Sequence, residues 1–588
     1  MGKKLETVFD NKIWSNITKI LFPVILVLFA LMNIGVGITV TDTGYNYGNF
    51  VTFDSLDDMW KFSTYLSGAL GAIFAKLPLG QTMMGLNLYT GLLKVLAALC
   101  AYFFCIKVCK MRREVVFVGE LVALGFCWCP TALIYNYLTY LLFCLGAMCI
   151  YVALIQEKKQ FFVFAGILLG VNVFVRLPNA AEMALIVVVW LYGIWYKKKF
   201  GQVVKDTLFC ILGYVIGLAV VLGYLACRYG INHYVEGIIA LFAMTGEVES
   251  YSTLSMLTDS FKVYVQQAKW FVMAILFVVA GMLLFKVFEK KYVLVKGIIY
   301  CIASVGLVYC FMKMGMFYIN YRDYFSMFAW GVMVLMFCLV FGIYTMFFSK
   351  VEKTEKVLAA LACVIILITP IGSNNHLYSP INNLFLVLPF FANHIWHLLS
   401  DEKSSMIVGK VKFSKLPYRI AMVMFAGVVF VQSIMFGVNF VFRDGVDGAK
   451  RDAQIENNDV LAGMYTNREN AENLQGLNDY LQEEDMTGES VILFGNIPAL
   501  AFYYELKPAL SSTWPDLPSY SGEKFTTELD NMKEMPMIIV SANPADIGKV
   551  EGSKDALKQK IAYLEQFMAQ NEYVQTFKND AFVVYRCQ

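Results

Sequence analysis

Residues 20–40 read ILFPVILVLFALMNIGVGITV, and residues 41–50 read TDTGYNYGNF. The first stretch is long and apolar enough to cross the hydrocarbon layer, which needs roughly 20 such residues. It follows a 19-residue basic, amphipathic lead and offers no small-x-small cleavage site before Thr41, so it reads as a retained span rather than a signal peptide. Asp42 therefore falls just beyond the end of a span, at the boundary between lipid and water. A carboxylate there loses part of its solvation, which raises its pKa and improves it as a base; the plainer alternative is a turn or cap residue.

Working outward, the same kind of run recurs at 82–106, 115–130, 133–155, 161–175, 181–196, 207–227, 270–287, 293–311, 324–348, 357–371, 383–399 and 420–441. With the first run this predicts a polytopic α-helical membrane protein of about 13 spans. Composition agrees. Only 16% of the 588 residues are charged, against about 25% in soluble domains. Hydrophobic residues reach 58% and the mean hydropathy is +0.59.

The basic residues fix an orientation. Lys3, Lys4, Lys12 and Lys19 share one side with the segments around Lys107–Arg113, Lys158–Lys159, Lys197–Lys199, Lys290–Lys291, Lys350–Lys356 and Lys403–Arg419. Loops on the other side carry few cations. Positive-inside bias then sets the N-terminus in the cytoplasm, and an odd span number sends the C-terminal region outside. Of the 14 cysteines, 13 fall between 100 and 363; only Cys587 lies in the exported part, which has no internal disulfide. Cys127 and Cys129 are too closely spaced for a usual zinc pair and read as apolar packing.

The expected organisation is a membrane domain over 1–441 and an extracytoplasmic α/β domain over 442–588. In the first outer loop, Leu56, Met59, Trp60, Phe62, Leu66, Leu70 and Phe74 recur at helical spacing and predict an interfacial helix over about 55–76. A second outer loop is expected over 228–269. In the tail, helices are expected over 467–483, 499–504 and 555–569, and strands over 490–494, 535–541 and 581–585. Strands separated by helices imply an α/β layer fold.

Candidate chemistry collects on the outer side. Asp42 and Tyr45 follow span one. Tyr135, Asn136 and Thr139 lie in the second outer turn. Arg176 and Asn179 sit in VRLPN, where an arginine between apolar stretches needs a partner and suits phosphate; snorkelling or pairing with Glu182 is the alternative. Lys313 and Arg322 form a similar cationic group beside Asp323. The uncharged loop Gly372–Pro380 offers Asn375, His376 and Tyr378, hydrogen-bonding groups suited to a neutral sugar. His233, three residues before Glu236, is a weak metal candidate, as is Asp42. Acids are scarce within the spans and no internal repeat appears, which argues against an ion-driven carrier.

The acid in TDTGYNYGNF, the long first outer loop, the turn VRLPN and the tail pattern LNDYLQEED…GESVILFG…MPMIIVS together resemble the GT-C class of membrane glycosyltransferases, and within it the family of the protein mannosyltransferases and the lipid A aminoarabinose transferase. The resemblance implies a sugar transferase of the cell envelope that uses a polyprenyl-phosphate sugar. Its acceptor would be a glycan, lipid or protein on the outer membrane face, with Asp42 catalytic and Arg176 and Arg322 on the phosphate. Many relatives carry a further acid in the second outer turn. Here Tyr135, Asn136 and Thr139 stand instead, so a divalent cation (Mg or Mn) stays an open expectation and no other cofactor is implied. No nucleic-acid partner is expected. The rival readings are a polysaccharide ligase or polymerase and a lipid-linked sugar flippase or transporter.

Overall fold

A computed structural model describes residues 11–247, 253–287, 291–321, 323–371, 375–401, 405–408, 411–444, 450–543 and 554–587. Arg322, Lys3, Lys4, Lys290, Lys403 and the segment 372–374 lie outside the described residues.

The chain is a polytopic α-helical membrane protein. Among the described residues nine helices are long and apolar enough to cross a bilayer. Four other expected spans are shorter helices, Arg113–Phe126, Gln160–Asn172, Lys353–Ile368 and Val387–Ser400. At 1.5 Å per residue they rise roughly 20–24 Å, less than a full hydrocarbon layer of about 30 Å, and they pack among longer neighbours. The closest packing uses small residues. Gly166 and Gly170 face Gly213 and Gly217 of the Phe200–Arg228 helix, and a methyl added at Gly166 or Gly213 would stand 2.0 Å from a facing carbonyl oxygen. Paired small-xxx-small stripes let two backbones approach in lipid, where van der Waals contact drives association.

Three sequence expectations shift. The first helix is Lys12–Leu31, about eight residues upstream of the apolar run, because Asn11 caps its N-terminus through bonds to the Ile13 and Trp14 amides. Residues 32–41 turn and extend instead, with Gly37 at φ +97°, a backbone conformation that suits glycine. The region read as a second outer loop, 228–269, is mostly helical, over Ile231–Glu247 and Thr253–Lys286. Its Lys and Gln residues lower hydropathy but are good helix formers. The expected interfacial helix is two helices, Asp58–Ser63 and Tyr65–Ala75, broken at Thr64.

The basic connectors meet at one end of the bundle. Arg112 lies over Trp396, Lys353 over Tyr196 and Lys356 over Trp195, and Lys198 pairs with Glu157 at 3.4 Å. Beside them β1 (Ser405–Val408) and β2 (Val411–Ser414) form an antiparallel hairpin.

The C-terminal region packs at the opposite end. Its sheet holds β3 (Ser490–Phe494), β4 (Lys507–Pro508), β5 (Met537–Ser541), β6 (Tyr573–Lys578) and β7 (Phe582–Cys587) in the order β4-β3-β5-β7-β6. The first three strands run parallel, and β7 turns antiparallel to β5. Helices Arg468–Glu483, Gly522–Asp530 and Lys554–Gln570 accompany the sheet. Strand β6 and the Gly522–Asp530 helix escaped the sequence reading, because β6 is largely exposed and carries no apolar run.

Main-chain bonds join this region to the segment after the first helix. Gly37 N donates to Tyr465 O at 2.8 Å, Tyr465 N to Gly35 O at 2.8 Å and Ala499 N to Val40 O at 3.0 Å. The Tyr503 hydroxyl donates to Thr39 O at 2.6 Å. Lys524 pairs with Asp57 at 3.1 Å, and Trp60 packs against the sheet's apolar layer.

Candidate active site

Asp42 opens the helix Asp42–Val51. That helix is fixed by Tyr47, whose hydroxyl donates to Asn87 Oδ1 at 2.5 Å, while Asn87 Nδ2 donates to Ile34 O at 2.7 Å. One amide side chain thus ties the acid's helix, the Met83–Lys107 helix and the segment below the acid together. The Asp42 side chain is 27% exposed and its Oδ2 accepts from Arg443 at 3.2 Å. Burial pushes the carboxyl above its ordinary range; the Arg443 guanidinium, the backbone amide and the Thr41 hydroxyl pull the other way without cancelling it.

Next to it lies a cavity of about 120 Å³. Its apolar wall comes from Phe29, Ala30, Leu124, Phe436 and Phe440, and its polar wall from Asn33, Thr39, Thr43, Asn87, Lys94, Cys127, Cys129 and Thr131. Phe29 and Phe436 belong to two helices whose other faces are exposed at Leu28, Val24, Val431 and Met435, as lipid-facing helices are. The Cys127–Thr131 turn is held by Asn382, whose Oδ1 accepts from the Trp128 and Cys129 amides at 2.9 and 3.3 Å. Cys129, in the cavity wall, lies within electrostatic range of both Asp42 and Lys94.

Lys94 is the one cation among the described residues lining this cavity. It lies in the fourth turn of the 25-residue Met83–Lys107 helix and makes no ion pair with any described residue. A lysine inside an apolar span that lines a cavity, rather than reaching a partner, marks a functional position. The sequence reading passed over it, although a lone cation inside a 25-residue apolar run is itself the signal.

The other expected site residues are dispersed. Asn136 lies behind the cavity wall, donating to Cys129 Sγ at 3.1 Å, and Tyr135 opens the same Ile134–Ile155 helix. Tyr45 faces the C-terminal region, edge-on to Trp514 at 5.3 Å. Asn179 is a buried clamp, donating to Thr139 Oγ1 at 2.7 Å and to Asn172 O at 3.0 Å, and Asn172 in turn donates to Glu182 Oε2 at 2.6 Å. Arg176 caps that turn; its electrostatic neighbours are Tyr140 and Glu182, and it does not line the cavity. Lys313 is an exposed helix-end residue over Tyr309. His376 and Asn375 stand at the foot of the Tyr378–Asn382 helix, His376 at φ +47°. Tyr378 joins an aromatic group with Phe328, Tyr324 and Trp128, and Trp128 also lines the cavity.

His233 pairs with Asp58 at 2.7 Å. Among the described residues no group of three or more His, Cys, Asp or Glu side chains could hold a metal. Among the described residues, the charged partner of Asp42 is a guanidinium, and no second carboxylate is paired with it.

No family model matches the sequence, and no curated protein matches it. Among solved structures, the chain is similar to two crystal structures of ArnT from Cupriavidus metallidurans. The first, bound to undecaprenyl phosphate, is 10% identical, with 96% of this chain and 97% of that chain covered and a TM-score of 0.38. The second, in the apo state, is also 10% identical with the same coverages and a TM-score of 0.37.

Proposed function

We propose that the chain transfers a sugar from a polyprenyl-phosphate donor to a hydroxyl of a glycan, lipid or protein acceptor at the extracytoplasmic membrane face. The observation that carries this reading is the cavity itself. It joins an apolar wall built from lipid-facing helices to a single lysine, with a partly desolvated carboxylate beside it. A lipid-linked anion matches the first two features: the prenyl chain stays in the bilayer and the phosphate meets Lys94. An acceptor hydroxyl matches the third.

In this mechanism Asp42 takes the acceptor proton as the hydroxyl oxygen bonds to the anomeric carbon. The bond from that carbon to the phosphate oxygen breaks, and its electron pair leaves on the polyprenyl phosphate. Lys94 is placed to stabilise that developing charge. Attack opposite the leaving group inverts the anomeric centre. The leaving phosphate needs little proton assistance, so one base suffices. The basic connectors at the far end support a cytoplasmic N-terminus and an extracytoplasmic site. The tail over 442–588 would then form a roof on the outer side.

The test is transfer by purified protein in lipid nanodiscs, using radiolabelled polyprenyl-phosphate sugars and a panel of acceptors. Covalent transfer of a single sugar, lost in D42N, is the expected result. Movement of lipid-linked sugar across liposomes without a covalent product would replace this reading with a carrier, and en bloc transfer of a glycan would replace it with a ligase.

A further inference from the structure

The chain leaving the Leu416–Asn439 helix crosses directly over the cavity. Phe440 stacks on Phe436 at 4.6 Å, and Phe442 stacks on Trp128 at 6.2 Å. Both phenylalanines line the cavity with Val441 between them. The next residue, Arg443, has φ +46°, and its guanidinium lies 5.2 Å from the Phe442 ring centre. It reaches Asp42 with one nitrogen only, at 3.2 Å, and its side chain stays 54% exposed. Asp444 then pins the crossing. It is buried, bonded to Arg451 at 2.7 Å and to the Ile38 amide at 3.2 Å, and it also accepts from Thr466.

Arg443 is thus a guanidinium held by an anchored backbone at the cavity edge, with most of its five donors unused by Asp42. A fork of this kind prefers two-point contact with phosphate or carboxylate, and the single bond to Asp42 leaves that preference unmet. We propose that Arg443 is a shared cation: it pairs with Asp42 while the cavity is empty and moves to the phosphate of a lipid-linked anion when one enters. The exchange leaves Asp42 unpaired, and so available as a base, only when donor is present. Arg443 is a positioning residue for Asp42 and a direct ligand for phosphate. The inference rests on the transferase reading for the identity of the anion.

The experiment is a binding cycle on the full-length protein in nanodiscs. The probes are a polyprenyl monophosphate, the matching polyprenol and inorganic phosphate, applied to wild type, R443Q, R443K, D42N and the D42N/R443Q double variant. R443Q should bind the lipid phosphate about three- to tenfold more weakly, with polyprenol binding unchanged and R443K in between. D42N should bind it several-fold more tightly, because Arg443 no longer has to leave a partner. In the R443Q background the same Asp42 change should do little. That dependence separates the exchange from simple repulsion between Asp42 and phosphate, which would persist without Arg443. D42N is readable even if R443Q folds poorly. Equal effects of D42N in both backgrounds, or R443Q binding as wild type does, would overturn the exchange while the transferase reading stands. If wild type bound polyprenol as well as its phosphate, the transferase reading itself would fall. Inorganic phosphate competing at the same affinity would show a free-anion site instead and overturn both.

Discussion

Arg443 and Asp444 are consecutive residues, and each belongs to an acid–base pair: Arg443 reaches back to Asp42, while Asp444 pairs locally with Arg451 and is tied to the far segment through the Ile38 amide. The pair made by Asp444 has side chains 0% and 15% exposed, a 2.7 Å contact with Arg451, and further bonds from the Ile38 amide, Thr466 and Asn470. The pair made by Arg443 has side chains 54% and 27% exposed, with one contact at 3.2 Å. Both oxygens of the first carboxylate are engaged, which is how a buried charge becomes tolerable. The second carboxylate is partly exposed and holds its cation through a single contact. Two pairs of the same chemistry, one residue apart, are built for different ends: one holds the neck of the C-terminal region, and the other can be undone.

The largest effect expected is on turnover. D42N should lower sugar transfer about 10²- to 10⁴-fold, the usual worth of a general base, with the melting temperature little changed; transfer at the parent rate would remove Asp42 from the chemistry. The pH–rate profile sharpens the same point. Burial holds the Asp42 carboxyl above its ordinary value of 3.8, and only the deprotonated form accepts a proton. Activity should therefore fall as pH drops through a limb lying above the normal carboxylate range, and a flat profile down to pH 4 would contradict it.

The second effect inverts the first. D444A removes the fully buried carboxylate that Arg451, Thr466, Asn470 and the Ile38 amide all bond to, and should cost about 3 kcal/mol, seen as early melting and as protease cleavage of the C-terminal region. If D444A melted like the parent, the contrast between the two pairs would collapse. Next, K94Q should weaken polyprenyl phosphate binding about 10- to 100-fold, the worth of a charged hydrogen bond, with polyprenol affinity unaltered; equal loss for both lipids would make Lys94 a packing residue. The smallest effect belongs to K524A, which removes the half-exposed pair with Asp57. A surface pair of this kind contributes less than about 1 kcal/mol, and a larger fall in melting temperature would show that the C-terminal region depends on that contact.

Much of the frame was legible in the sequence. Long apolar runs announce their helices, and the strand in SVILF lies over Ser490–Phe494 as read. Asp42 stood out because it follows a span so closely. What escaped had a common physical cause. Lys94 hides in a hydropathy average dominated by its neighbours. Residues 262–269 look like loop because their polar side chains depress the same average while their helix propensity stays high. Asp444 looks like any acid in a polar linker, since its partner Ile38 is more than 400 residues away. Local patterns report which solvent a segment prefers, and they are silent about partners assembled across the fold. Arg176 shows how little a suggestive turn says about partners: its electrostatic neighbours are Tyr140 and Glu182, and none of the three lines the cavity.

The backbone seam between residues 35–40 and residues 465–499 bears on biosynthesis. The acid leaves the ribosome long before its supports do, and the strand-like stretch beneath it cannot complete its pairing until Tyr465, Ala499 and Tyr503 have been made. Until then the bundle can insert and pack around an unfinished outer end. A nascent chain would thus carry the candidate base well before it gains the shape that tunes it.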